Sequence, residues 1–266
     1  MILNKTVFTT LAILLTLGFS GCGGDDKDEK GEKKENRESG EKGEGRGDGN
    51  GEKNGESEDS HDEINHSEIK GITVDENGSV SANIDEIIGD IAVLDLNESE
   101  KRSILFIREE EKLARDVYIY LDNRYSNEIS IFGNIADKAE QTHMDLVKGL
   151  VERYNLTDPI TEAEDLNLGV FQNSILQSEY DKLIAKGDIA LIDAIEVGLY
   201  IEDLDIRDIE KYMSQTDNKD LLAIYQLLVD GSESHMKAFV RQYDKYNATY
   251  TPQFISQSRF DLIFNQ

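Results

Sequence analysis

Two histidines of this chain, His143 and His235, fall in apolar helical stripes, and glutamates accompany both. Glu140-Gln141-Thr142-His143 spells E-x-x-H, which sets a carboxylate and an imidazole one turn apart on one helix face. Four-helix bundles hold iron or manganese with this pair. Glu111 and Glu202 sit midway along two further apolar stripes, so four stripes each carry an ionisable group near the middle. Such groups are costly to bury without a partner. At any one position a bland reading competes: a mid-stripe Glu often lies at the edge of the face, and a lone core His is more often hydrogen-bonded than metal-bound. The coincidence across four helices shifts the weighing, because mid-helix positions of an antiparallel bundle meet at one level. Three carboxylates and two imidazoles are hard-to-borderline donors that suit iron, manganese or zinc, as one ion or two. Cys22 is the only cysteine, so copper–thiolate and iron–sulfur sites are not expected.

The elements that must position these groups read as long helices. The first begins after the capping residues Asn97-Glu98-Ser99-Glu100 and carries Ile104, Ile107, Glu111, Ala114, Tyr118, Leu121 and Tyr125 on one face. The second spans about 129–154 with Phe132, Ala136, Glu140, His143, Val147 and Leu150. The third carries Ile192, Ile195, Leu199, Glu202, Ile206 and Ile209. The fourth carries Leu221, Tyr225, Leu228, Ser232, His235 and Phe239 and extends to Tyr246. Residues 156–188 form a long connection with a shorter amphipathic helix near 171–184. A long crossover between two helical hairpins is the connectivity of ferritin-like bundles, so the expected fold is all-α: a ferritin-like four-helix bundle over 98–266. Residues 71–97 are a lead-in, either a small hairpin around Asn77-Gly78 or a loose segment. The tail 247–266 has enough apolar side chains to fold back onto the helices.

Glu111-Lys112-Leu113-Ala114-Arg115-Asp116-Val117-Tyr118 resembles the first-helix motif of rubrerythrins, in which a ligand Glu precedes Ala-Arg and then a Tyr. Glu140–His143 matches that group's second-helix E-x-x-H, Gly198-Leu199-Tyr200-Ile201-Glu202 its third-helix motif, and His235 the fourth-helix histidine. The whole of 98–260 is similar to a ferritin-like family with an R-E-E-E-K-L-A-R-D-V-Y signature, here Arg108–Tyr118. The resemblance implies Glu111, Glu140, His143, Glu202 and His235 as iron ligands. Ser232 stands where a fourth-helix ligand Glu is expected, Glu233 points off the face, and Leu199 replaces a further carboxylate. Five protein ligands then remain instead of a fuller set, which weighs against a symmetric dinuclear site. Asp205, three residues after Glu202, could supply another oxygen or simply face solvent. Glu110 and Glu196 are weaker candidates. Tyr118 could hydrogen-bond a ligand carboxylate, donate an electron, or fill the core. A rubrerythrin-like electron relay within the chain is excluded, since no rubredoxin-type cysteine pairs exist, and the electron donor is unknown.

Three functions follow as expectations: iron- or peroxide-linked redox catalysis of the ferroxidase type, metal binding or storage without turnover, or a metal-free interaction bundle. The N-terminus suggests the address. Residues 1–22 read as a secretory signal too short for a stable span, and Ser20-Gly21-Cys22 resembles a bacterial lipobox whose cysteine becomes lipidated. A lipid on Cys22 would anchor the protein in the cell envelope, with the outer membrane or cell surface favoured because Gly23 gives no retention signal. Residues 23–70, with 17 acidic and 9 basic side chains and no aromatic, read as a disordered tether. His61 and His66 on it are isolated. The net charge of −27 excludes nucleic acid as a partner. A ferritin-type shell is not expected with this tether on every subunit, but a homodimer is compatible.

Overall fold

Asn97 sets where the first long helix begins. Its side chain accepts the Ser99 and Glu100 N–H groups at 2.8 and 3.0 Å, while the Glu100 carboxylate accepts the Asn97 N–H at 2.8 Å. This reciprocal cap is worth about 1 kcal/mol. The computed structural model describes residues 71–74 and 80–265. The expected signal segment, Cys22, the tether and the Asn77-Gly78 turn lie outside the described residues.

The lead-in is a hairpin of β1 (Ile72–Val74) and β2 (Val80–Ala82), antiparallel with Ile72 opposite Ala82. A short helix, α1 (Ile84–Ile88), follows, and it was not expected; Asn83 caps it and Ile88 is fully buried. From there the fold is all-α: α2 (Glu98–Tyr125), α3 (Ile131–Ile135), α4 (Gln141–Arg153), α5 (Glu162–Asp165), α6 (Ser174–Gly187), α7 (Leu191–Met213), α8 (Lys219–Tyr243) and α9 (Gln257–Ile263). The expected second helix differs from a single regular element. A π-helical turn, Ala136–Glu140, joins α3 to α4 and ends on Glu140. The fourth helix closes at Tyr243, and its last residues tighten into a 3-10 turn, Asp244–Tyr246.

Helix α2 packs on α4 and α7, and α8 packs on the same two. Two apolar clusters fill the interior. One gathers Leu113, Val117, Tyr118, Phe132, Ile195, Leu199 and Phe239; the other gathers Ile104, Ile107, Val147, Leu150, Ile209, Leu221 and Leu228. Along α2, along α8 and along the run from α3 into α4 the chain passes from one cluster to the other, with Glu111, His235, and Glu140 with His143 at the passage, while Glu202 lies between Leu199 and Ile206 of the first cluster.

The signature on α2 explains how the long crossover is held. Arg108 donates to Asp158 at 3.2 Å and to the Met144 carbonyl at 3.1 Å. The Glu109 carboxylate accepts the Gln172 and Asn173 N–H groups at 2.6 and 3.1 Å. Lys112 pairs with Asp116, reaches the Asn167 carbonyl and lies 4.8 Å from the centre of the Phe171 ring. Arg115 holds Asp165 at 2.7 Å, and Asp116 accepts the Gly169 N–H at 2.9 Å. All five side chains are buried because the crossover lies over them. At the other end, Asp203 fixes the tail. It accepts Tyr250 Oη at 2.9 Å and the backbone N–H groups of Gln253, Phe254 and Ile255. Tyr250, Ile255 and Ile263 are thereby buried.

Candidate metal centre

Five helical segments each bring one polar side chain to the layer between the apolar clusters. α2 supplies Glu111, the π turn Glu140, α4 His143, α7 Glu202 and α8 His235, and all five are buried. They form two groups of possible metal ligands, Glu111–Glu140–His143 and Glu140–Glu202–His235. Glu140 belongs to both. Its Oε2 lies 3.2 Å from His143 Nδ1, and its Oε1 lies 3.1 Å from His235 Nδ1. Glu111 Oε2 is 3.1 Å from His143 Nδ1, and Glu202 Oε2 is 3.4 Å from His235 Nδ1. The imidazole rings face each other at 5.5 Å between centres. Each half thus has one histidine, one glutamate of its own and one oxygen of Glu140, an arrangement more symmetric than a count of five ligands suggests.

The donor set fits a metal ion better than it fits itself. Both Glu140 oxygens, Glu202 Oε2 and His235 Nδ1 make no hydrogen bond despite their close approach. Buried polar atoms are seldom left so. Donors about 2.1 Å from one ion stand roughly 3.0–3.4 Å from each other, the spacing found here.

The electrostatics follow from three carboxylates sharing a dry layer. Burial raises Glu111 to about 7, with His143 pulling the other way. Burial would also raise Glu140, but His143 and His235 outweigh it and hold it below the usual carboxylate range. Burial lowers a histidine; here Glu202 and Glu140 overcome it and lift His235 to about 9, and Glu111 and Glu140 lift His143 well above its ordinary value. Glu202 is raised by burial. Tyr118 donates to Glu202 Oε1 at 2.5 Å, and burial first, then Glu202, keeps its phenol well above the ordinary tyrosine range. It therefore stays a donor, while its ring packs 5.4 Å from Phe239.

The other sequence candidates separate. Asp205 is buried beside the centre but is in neither ligand group. Glu110 is likewise buried. Glu196 lies elsewhere, paired with Lys186 at 2.6 Å. Glu233 points away to Arg259, as its place off the stripe implied. Ser232 and Leu199 are buried without joining the ligands.

Two features escaped the sequence reading. Gly231 on α8 faces His143, and a Cβ there would fall 2.2 Å from His143 Nε2. A mid-helix glycine costs about 1 kcal/mol against alanine, and that was the available signal. The π turn had no signal in the periodicity. Such turns are often found at functional sites.

Residues 100–266 match the family model described as an uncharacterized protein domain, DUF2202. The chain is 46% identical over 180 residues to the uncharacterized protein MJ0754 of Methanocaldococcus jannaschii, which covers 68% of this chain and 94% of the relative. The crystal structure of hypothetical protein MJ0754 from Methanococcus jannaschii DSM 2661 is similar with a TM-score of 0.63, covering 66% of this chain and 97% of that one. With more than half its length matched, and with a relative so similar, the chain belongs to the DUF2202 family.

Proposed function

We propose that the domain is a ferritin-like four-helix bundle that binds two metal ions, iron by preference, and uses them in iron- or peroxide-linked redox chemistry. The observation that carries this reading is the sharing of Glu140 between two ligand groups, one oxygen directed to each histidine. Glu111 with His143 would hold one ion and Glu202 with His235 the other, with Glu140 between them. Manganese or zinc would suit the same donors. Bound iron would supply single electrons to an oxidant such as hydrogen peroxide. The chain's own residues do the rest. Tyr118 orients Glu202 by its hydrogen bond. The apolar clusters on either side keep water from the layer, and the crossover strapped to α2 covers one flank.

On this reading the domain is exported and held at the envelope by a lipid on Cys22. No helix among the described residues is long and apolar enough to cross a membrane, so attachment would rest on that lipid. Acylation with several chains gives stable anchoring.

The test is metal analysis of the full chain after anaerobic reconstitution with ferrous iron. About two irons per chain, falling to one or none in Glu140→Ala, is the expected outcome. No retained iron, with thermal stability unchanged in Glu140→Ala and His143→Ala, would overturn the reading. If iron binds but resists oxidation by hydrogen peroxide, the domain is a binding or storage module.

A further inference from the structure

Beside the five ligands lies a set of acids that the centre does not use. Glu110 and Asp205 are 1% and 2% exposed, and no oxygen of either makes a hydrogen bond. Asp205 lies three residues beyond the ligand Glu202 on α7, and Glu110 directly precedes the ligand Glu111 on the packed helix α2. Glu110 is raised by burial and then by Asp208 and Glu111. Glu110, Asp205 and Asp208 are thus neighbours of one another beside the ligands.

The helix geometry gives this set a direction. Glu202, Asp205 and Asp208 follow one another at steps of three along α7. Each step advances about 4.5 Å and turns about 60°, so the carboxylates spiral outward. Glu202 is fully buried, and Asp208 is 6% exposed. Arg207, at the outer end, pairs with Asp208 at 3.0 Å. A surface cleft of about 350 Å³ is lined by Arg102, Phe106, Glu109, Asn173 and Tyr212 of the same two helices and the crossover. Phe106 lies one turn before Glu110 on α2, Tyr212 lies one turn past Asp208 on α7, and their rings are 6.1 Å apart. Glu110 and Asp208 both act on the Tyr212 phenol, which burial raises to about 12.

We propose that Asp208, Glu110 and Asp205 form a carboxylate relay that carries divalent cations from this cleft to the Glu111–Glu140–Glu202 centre. The proposal rests on the metal-centre reading above. A fixed third site fits less well, because among the described residues the groups of three close ligands are the two already given. Two buried carboxylates without hydrogen-bond donors offer a hydrated cation a charge-compensated stop on the way inward.

The experiment mixes the full, metal-free chain with Mn²⁺ and follows uptake by stopped flow against a fluorescent divalent-cation indicator. Asp205→Asn and Glu110→Gln are expected to slow uptake tenfold or more while final stoichiometry is unchanged. Asp208→Asn, at the outer end, is expected to slow it too, and serves if an inner variant fails to fold. The exposed Glu152→Gln is expected to change nothing. Equal rates in all variants would overturn the relay, and so would a comparable slowing in Glu152→Gln, which would mean bulk charge. Reduced stoichiometry in Asp205→Asn would make Asp205 a ligand and overturn its role in the relay. No Mn²⁺ uptake by the unsubstituted chain would overturn the metal-centre reading itself.

Discussion

At the scale of single residues, Gly231 and Glu140 decide most. His143 reaches its partners only because α8 has no side chain at Gly231. Gly231→Ala would force the imidazole aside. The expected cost is about 1–3 kcal/mol of stability by overpacking, although alanine's helix propensity offsets some of it. Metal affinity should fall about 10–100-fold, as when a group that positions a ligand is lost. Denaturant unfolding and a metal titration check the two parts separately. The protonation states give a second prediction. Glu111 is raised from 4.5 to about 7 and His235 from 6.5 to about 9. The contribution of each is present below its unfolded pKa and is lost as pH rises through its folded pKa. Glu140, held low, has the opposite sign but acts only below its ordinary range. The Tm of the metal-free protein should therefore fall between about pH 5 and pH 9. Metal binding displaces these protons, so the rise in Tm on adding metal should grow over the same range. A flat apo profile from calorimetry would contradict the assignment.

At the scale of elements, the π turn and the crossover strap each do something that periodicity cannot express. The turn Ala136–Glu140 fits one extra residue into an otherwise continuous helix. Phe132 of α3 and Glu140 can then both face the interior. Deleting Asp137, exposed on that turn, would remove the extra residue and close the turn as regular helix with the two halves still in phase, since seven helical steps from Phe132 to Glu140 turn about 700°, close to two full turns. Helical content by circular dichroism and bound metal should both persist, and loss of metal in this variant would mean that the widened turn itself, beyond its phase, sets the place of Glu140. The strap depends on Asp116, which serves Lys112, Arg115 and the Gly169 N–H together. Asp116→Ala leaves Lys112 buried and uncompensated, for an expected loss of about 3–5 kcal/mol. Lys112→Met should cost far less, since Asp116 keeps Arg115 and the Gly169 N–H. Urea denaturation of the two variants side by side tests the asymmetry.

At the scale of the whole molecule, the polar layer between two apolar clusters is the organising fact. The apolar clusters supply the burial that holds the fold, while the acids between them oppose it through desolvation and mutual repulsion. A cation that binds only the folded state stabilises by mass action. The metal-free chain should consequently be the less stable form, and chelation with EDTA should lower its Tm and leave it monomodal in calorimetry. An unchanged Tm would mean that the layer is satisfied without metal.

The sequence determined the helices and which residues sit at their middles. Apolar spacing is a local property, so α2, α7 and α8 fall within a few residues of their expected bounds, and Glu111, Glu140, His143, Glu202 and His235 form two close groups. The Asn97 cap was equally legible, because its partner Glu100 is three residues away. Only the tertiary structure decided that Glu140 divides its two oxygens between two histidines on different helices. It also decided that Arg108, Glu109, Lys112, Arg115 and Asp116, which look like a solvated face in one dimension, are buried beneath the crossover. Asp205 was open between ligand and surface residue, and it proved buried beside the centre without joining either group. These outcomes share a physical reason. Burial and coordination depend on what a second, distant segment places opposite a side chain, and that choice is made by packing rather than by the helical period.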